Sequence, residues 1–242
     1  RKPPNAHSLG RYGQVQKIKK EKDSWQMTDK YRIKLYMKKY FLIIMGLLSF
    51  LKSSGQNFDF NSDEIQKQIC SILGQHSDTV LHSPVPFDMG FDIGGGSDVY
   101  MYTNHIDGIV YLTSDLIGKK QHKNKLGNYE LMICLPQKND WGANLISKLA
   151  YFTLESTLNS GETMDLGGNF ILNDSKIKAL LFSKYADFNV KGQRYGILLI
   201  IGITSDELEW AKENGGEKLI EKLKEKGIYP KTDFKRESIF GI

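Results

Sequence analysis

Hydrophobic positions from residue 62 onward switch between helical and strand spacing, and the switches place the elements. Ile65, Ile69, Ile72 and Leu73 share one helical face, and Ser62, Asp63 and Glu64 supply N-terminal capping chemistry for a helix through Leu73. A polar loop with Pro84 and Pro86 leads to the run Gly94–Gly96. Two β-rich runs, Asp98–Thr103 and Gly108–Ser114, then flank Asn104–Asp107 and predict a hairpin. Beyond a charged connection over Gly118–Asn128, the run Asn128–Pro136 predicts a central strand that Pro136 ends.

Asn139 or Asp140 caps a predicted helix from Trp141 to about Leu158, with Leu145, Leu149 and Phe152 as its stripe, widened by Ile146, Ala150 and Leu154. Short strand-like pieces follow at Thr163–Leu166 and Ile177–Ser183. The almost unbroken apolar run Tyr195–Thr204 predicts a strand covered on both faces. Thr204 and Glu207 have capping-box spacing and open a helix. Gly215 and Gly216 separate it from another, which turns Leu219, Ile220 and Leu223 inward and stops at Gly227. Asp233–Phe240 predicts a short terminal strand.

Strands grouped around two or three helices, without strict βαβ alternation, predict an α/β (α+β) fold: a mixed β-sheet flanked by helices, one domain over residues 62–242. Residues 45–61 form a short amphipathic lead-in or linker. Residues 1–44 form a basic extension, poorly ordered or foreign to the mature chain.

Charge sharpens that division. Residues 1–44 hold twelve Lys or Arg against three acids, so the +5 of the 242-residue chain splits into +9 there and −4 over residues 45–242. Nucleic-acid binders carry their basic excess on the folded surface, so no nucleic acid is expected on this domain. Met27, Met37 and Met45 are candidate starts. A start at Met37 gives the basic and apolar layout of a secretory signal over Phe41–Leu51, broken by Lys52 before any small-residue cleavage site. A start at Met45 gives a cytoplasmic protein, the preferred reading, with export the alternative. The run is too short for a bilayer, which needs about twenty residues, so no membrane association is expected. Cys70 and Cys134, far apart and each in an apolar stretch, read as buried free thiols rather than a disulfide.

Catalytic patterns are not assembled. Gly94–Ser97 lacks the Lys-Ser/Thr of a phosphate loop and precedes a strand; its glycines read as backbone-packing residues. No serine sits in a G-x-S-x-G elbow, and no histidine pair has metal-ligand spacing. His105 near Asp107 is a possible dyad, but a solvated turn histidine is the simpler reading. Glu207 is occupied by the helix cap, Asp165 lies in a turn, and Trp210 packs inward beside Leu208. No cofactor, metal or small-molecule substrate is expected.

Seven pieces occur in the order of a known family: DVYMY at Asp98–Tyr102, YELMICLP at Tyr129–Pro136, Trp141 with LISKLAYF at Leu145–Phe152, GETMDLGG at Gly161–Gly168, SKIKALLFS at Ser175–Ser183, IIGITSDELEWAKENG at Ile200–Gly215, and TDFKRESI at Thr232–Ile239. Residues 62–242 therefore resemble the suppressor of fused family, above all its bacterial single-domain members. That resemblance implies a non-enzymatic, protein-binding role. In animals the family member sequesters a transcription factor, but nothing here resembles its second domain. Bacterial relatives accompany toxins as immunity proteins, so the resemblance implies a cognate toxin as partner, a nuclease being the case that suits an acidic domain. The alternatives to immunity are a general protein-interaction module with no toxin partner and an enzyme of unrecognised type. It lends no catalytic residues. The motif positions Glu130, Pro136, Trp141, Asp165, Glu207, Asp233 and Arg236 are expected to be fold determinants. An Asp233–Arg236 pair, or one made by Glu130, is the expected anchor of the terminal strand.

Overall fold

The computed structural model describes residues 62–119, 121–167 and 175–241. The basic extension, the lead-in and the competing starts at Met27, Met37 and Met45 lie outside the described residues. The elements, in chain order, are α1 (Ser62–Leu73), β1 (Val80–Leu81), β2 (Val99–Tyr102), β3 (Ile109–Thr113), β4 (Asn128–Leu135), α2 (Asp140–Leu149), α3 (Phe152–Glu155), β5 (Thr163–Asp165), β6 (Ala179–Val190), β7 (Gln193–Ile203), α4 (Ser205–Asn214) and α5 (Gly216–Glu225).

The strands make one mixed seven-stranded sheet in the order β1-β2-β3-β4-β7-β6-β5. Neighbours are antiparallel except β4 and β7, which run parallel from Asn128↔Tyr195 to Ile133↔Ile200. Strand β7 is central, and its side chains divide by the two-residue period of a strand. Ile197, Leu199, Ile201 and Ile203 join a core with α1, α4 and α5, while Leu198 and Ile200 join a second core under α2. All six are fully buried, each contributing roughly 1.5–3 kcal/mol of apolar burial. The expected mixed sheet flanked by helices is the fold observed.

Three elements differ from expectation. The helix predicted to reach Leu158 stops at Leu149 and resumes only as α3. Thr153 bonds its hydroxyl to Ala150 O at 2.7 Å and gives its own carbonyl to His122 N at 2.7 Å, which diverts the chain there. The short piece at Ile177–Ser183 is the start of the twelve-residue β6, which pairs along β7 to Val190↔Gln193. A register shift between Lys184 and Ala186, with exposed Lys184, Asp187 and Asn189 interleaved among the buried positions, interrupts its period. Asp233–Phe240 is not a strand but a turn-rich segment lying across the end of the sheet.

Close approach between α5 and the turn before β5 gives a sharp test of packing. A Cβ on Gly216 would stand 2.1 Å from Gly161 O, a backbone atom that cannot swing aside. Gly216→Ala is expected to destabilise the domain by about 1–3 kcal/mol. Urea unfolding should show a lower midpoint at unchanged slope; an unshifted midpoint contradicts the contact.

Candidate functional site

The motif residues separate into buried acids with internal partners and half-buried or exposed positions. Glu207, the third residue of α4, is fully buried, and its side chain completes the predicted capping box with Thr204. Its carboxylate also receives Arg236 in a two-pronged ion pair, Nη1 to Oε1 at 2.5 Å and Nη2 to Oε2 at 2.6 Å, with both side chains shielded from water. Arg236 Nη2 donates further to Gly202 O at 2.9 Å, and Ile239 N donates to Glu207 Oε1 at 3.0 Å. The guanidinium thus ties the terminal segment to both β7 and α4. Asp233 is not its partner: it is exposed and accepts from Lys235 N at 2.9 Å. The expected Asp233–Arg236 anchor is corrected to Glu207–Arg236, a contact 29 residues apart in sequence that no local spacing signals.

Glu130, on β4, is 2% exposed. It accepts from Thr113 Oγ1 at 2.6 Å, Ile117 N at 2.9 Å and Leu116 N at 3.4 Å, fastening the turn after β3. Burial pushes its carboxyl up to about 8, against the lowering effect of those hydrogen bonds. Glu130 therefore anchors residues 113–117, not the terminal segment.

The remaining motif positions are dispersed. Pro136 is exposed just past β4, and Asp165 is exposed at the end of β5, where it accepts from Gly167 N at 2.9 Å. Trp141 is half-buried, edge-on to Phe234 with ring centres 4.7 Å apart. Trp210 is half-buried and stacks on Phe240 at 5.1 Å, so its inward side is supplied by the terminal segment. Cys134 is buried, with its thiol pushed up to about 12 by burial, whereas Cys70 is only half-buried; both are free. His105 is no solvated turn residue. Its Nε2 lies 2.5 Å from Tyr185 Oη, and burial lowers its pKa.

A cleft of about 550 Å³ opens between edge strand β1 and helix α2, with Val80, His82, Gly96, Asp140, Asn144 and Lys148 in its wall. At its rim His82 Nδ1 meets Asp98 Oδ2 at 2.8 Å, and Ser83 N donates to Asp98 Oδ1 at 2.9 Å. This pair escaped the sequence reading because it depends on β1, whose two residues give no detectable period; the register Leu81↔Val99 brings His82 opposite Asp98. A smaller cleft of about 250 Å³ lies beside α1, with Glu130 and Thr113 in its wall. Among the described residues no cluster of three or more His, Cys, Asp or Glu is arranged to hold a metal ion, and no helix is long and apolar enough to cross a membrane.

Solved structures that share this fold include three suppressor of fused chains. The chain in the Sufu–Fu complex superposes with a TM-score of 0.56 at 16% identity, over 74% of this chain and 90% of that one. Drosophila Suppressor of Fused gives 0.54 at 16%, over 74% of this chain and 50% of that protein, so the chain corresponds to half of its length. A suppressor of fused homologue from Neisseria gonorrhoeae gives 0.55 at 18%, over 76% of this chain and 98% of that one. No curated protein sequence matches the chain. The sequence model of the suppressor of fused protein family matches residues 104–237, more than half of the chain, leaving the Asp98–Tyr102 motif just outside. With the sheet, its helices and that match in agreement, the chain belongs to the suppressor of fused family.

Proposed function

We propose that residues 62–242 form a non-catalytic protein-binding unit whose task is immunity: neutralising a cognate bacterial toxin in the cytoplasm by direct, stoichiometric contact. The observation that carries the protein-binding part is that a chain of this fold has been solved in complex with another protein, Fu. The −4 balance of residues 45–242 suits a cationic toxin such as a nuclease, since complementary charge speeds capture. In this reading the seven motif residues are fold determinants, with Glu130 and Glu207 committed to internal hydrogen bonds.

The test is growth of cells expressing the product of each neighbouring reading frame, with and without this chain. Rescue from one toxic neighbour, and a complex with it of nanomolar or tighter Kd, is the expected result. No gain in growth with any toxic neighbour ends the immunity role. A tight complex with a harmless neighbour would leave a general protein-interaction module in its place.

A further inference from the structure

The connection between α1 and β2 is folded back on itself. Gly96 N donates to Val85 O at 2.9 Å, Gly95 N to Gly90 O at 3.0 Å and Met89 N to Pro86 O at 3.1 Å, while Phe87 is fully buried beneath. Glycine is required at the closure, because a Cβ on Gly95 would stand 2.7 Å from Gly90 O. A loop already fixed in this way loses little conformational freedom when something binds to it.

What it presents is apolar and acidic. Met89 and Ile93, 64% and 60% exposed, are the large hydrophobic side chains left outside among the described residues. Exposed Asp88 and Asp92 stand next to them in sequence. The loop continues into the wall of the larger cleft through Gly94 and Gly96, and β1 beside it is an edge strand with one side of its backbone unpaired by the sheet. Charge chooses the occupant: residues 68–118 contain six aspartates and no Lys, Arg or Glu. Of these, Asp88 and Asp92 stand exposed on the loop, while Asp98, Asp107 and Asp115 are engaged by His82, Lys231 and Ser97. Lys119, 3.8 Å from Asp88, and Lys148 in the cleft wall bound this acidic stretch.

We infer that loop 85–96 and the edge of β1 form the docking surface for a cationic protein segment carrying an apolar side chain. The apolar group packs on Met89 and Ile93, and lysines or arginines flanking it meet Asp88 and Asp92. This rests on the protein-binding reading above and adds to it the surface and the partner's chemistry.

The full chain is titrated with a labelled lysine–leucine peptide and with its glutamate–leucine counterpart, followed by fluorescence anisotropy and amide chemical shifts. The cationic peptide alone should bind, with shifts concentrated on residues 80–81 and 85–96. Asp88→Lys with Asp92→Lys, and separately Met89→Ser with Ile93→Ser, should each weaken binding by about tenfold or more, at an unchanged unfolding midpoint. Equal binding of both peptides, unaltered affinity in both variants, or shifts on another face would overturn the assignment. So would a dimer in sedimentation that Ile93→Ser dissolves, which would make a second copy the occupant. No toxin enters this titration, so its failure leaves the growth test standing, and failure of the growth test leaves this surface standing.

Discussion

Glu207→Ala and Arg236→Ala should each lower the stability of the domain by about 3–5 kcal/mol at neutral pH, the largest single-residue effects expected in this fold. Both side chains lie out of water, and each truncation strands the other charge where no solvent can replace the partner. Glu207→Ala also removes the acceptor of Thr204 N and Ile239 N, so the cap of α4 and the terminal segment loosen together. The double variant should cost less than the two single losses added, because no charge is then left alone. Urea unfolding monitored by tryptophan fluorescence reads both, as Trp210 rests on Phe240 of the same segment. Single losses near 1 kcal/mol or below, or simple additivity, would show that the pair is solvated and not the lock described.

Glu130 should make the domain less stable as pH rises. Its folded carboxyl is pushed up to about 8, against 4.5 for the free group. Below the lower value both folded and unfolded chains hold the proton and the group imposes no penalty. Between the two, the unfolded chain releases its proton and the folded one keeps it, so stability falls by up to about 1.4 kcal/mol per pH unit. Above the higher value the loss is complete. Glu130→Gln keeps an acceptor for Ile117 N, reverses the Thr113 contact so that the amide donates to Thr113 Oγ1, and cannot ionise. Its unfolding midpoint should therefore track wild type at about pH 5 and exceed it increasingly towards about pH 8. Parallel curves would rule out a protonated Glu130 in the folded state.

Local chemistry made much of the architecture legible. The bounds of α1, the burial of β7 on both faces, the Asn139 cap of α2 and the Thr204–Glu207 box all follow from residues within one or two turns of each other. What escaped depends on distant partners. The outer half of β6 alternates exposed Lys184, Asp187 and Asn189 with buried Phe188 and Val190, but the register shift at Lys184–Ala186 breaks the period, so its pairing with β7 is what identifies it as strand. The terminal segment has strand-forming residues, yet its backbone is spent elsewhere, with Thr232 N on Cys134 O and Phe234 O on Lys176 N. Glu207 and Arg236 were both visible as family positions, but their partnership was not. The loop bearing Met89 and Ile93 reads in sequence as an ordinary proline- and glycine-bearing connection, and only its closure reveals two hydrophobic side chains held outside.

The parallel β4–β7 pair decides what a shortened chain would lose. Because β7 enters between β4 and β6, the last strand in chain order among the described residues is an inner one. A polypeptide cut between β6 and β7 is missing the middle of its sheet, with the inner side of β4 bared and β6 left without its principal neighbour. A truncation that removes β7 therefore splits the sheet in two, whereas loss of β1 would only trim it.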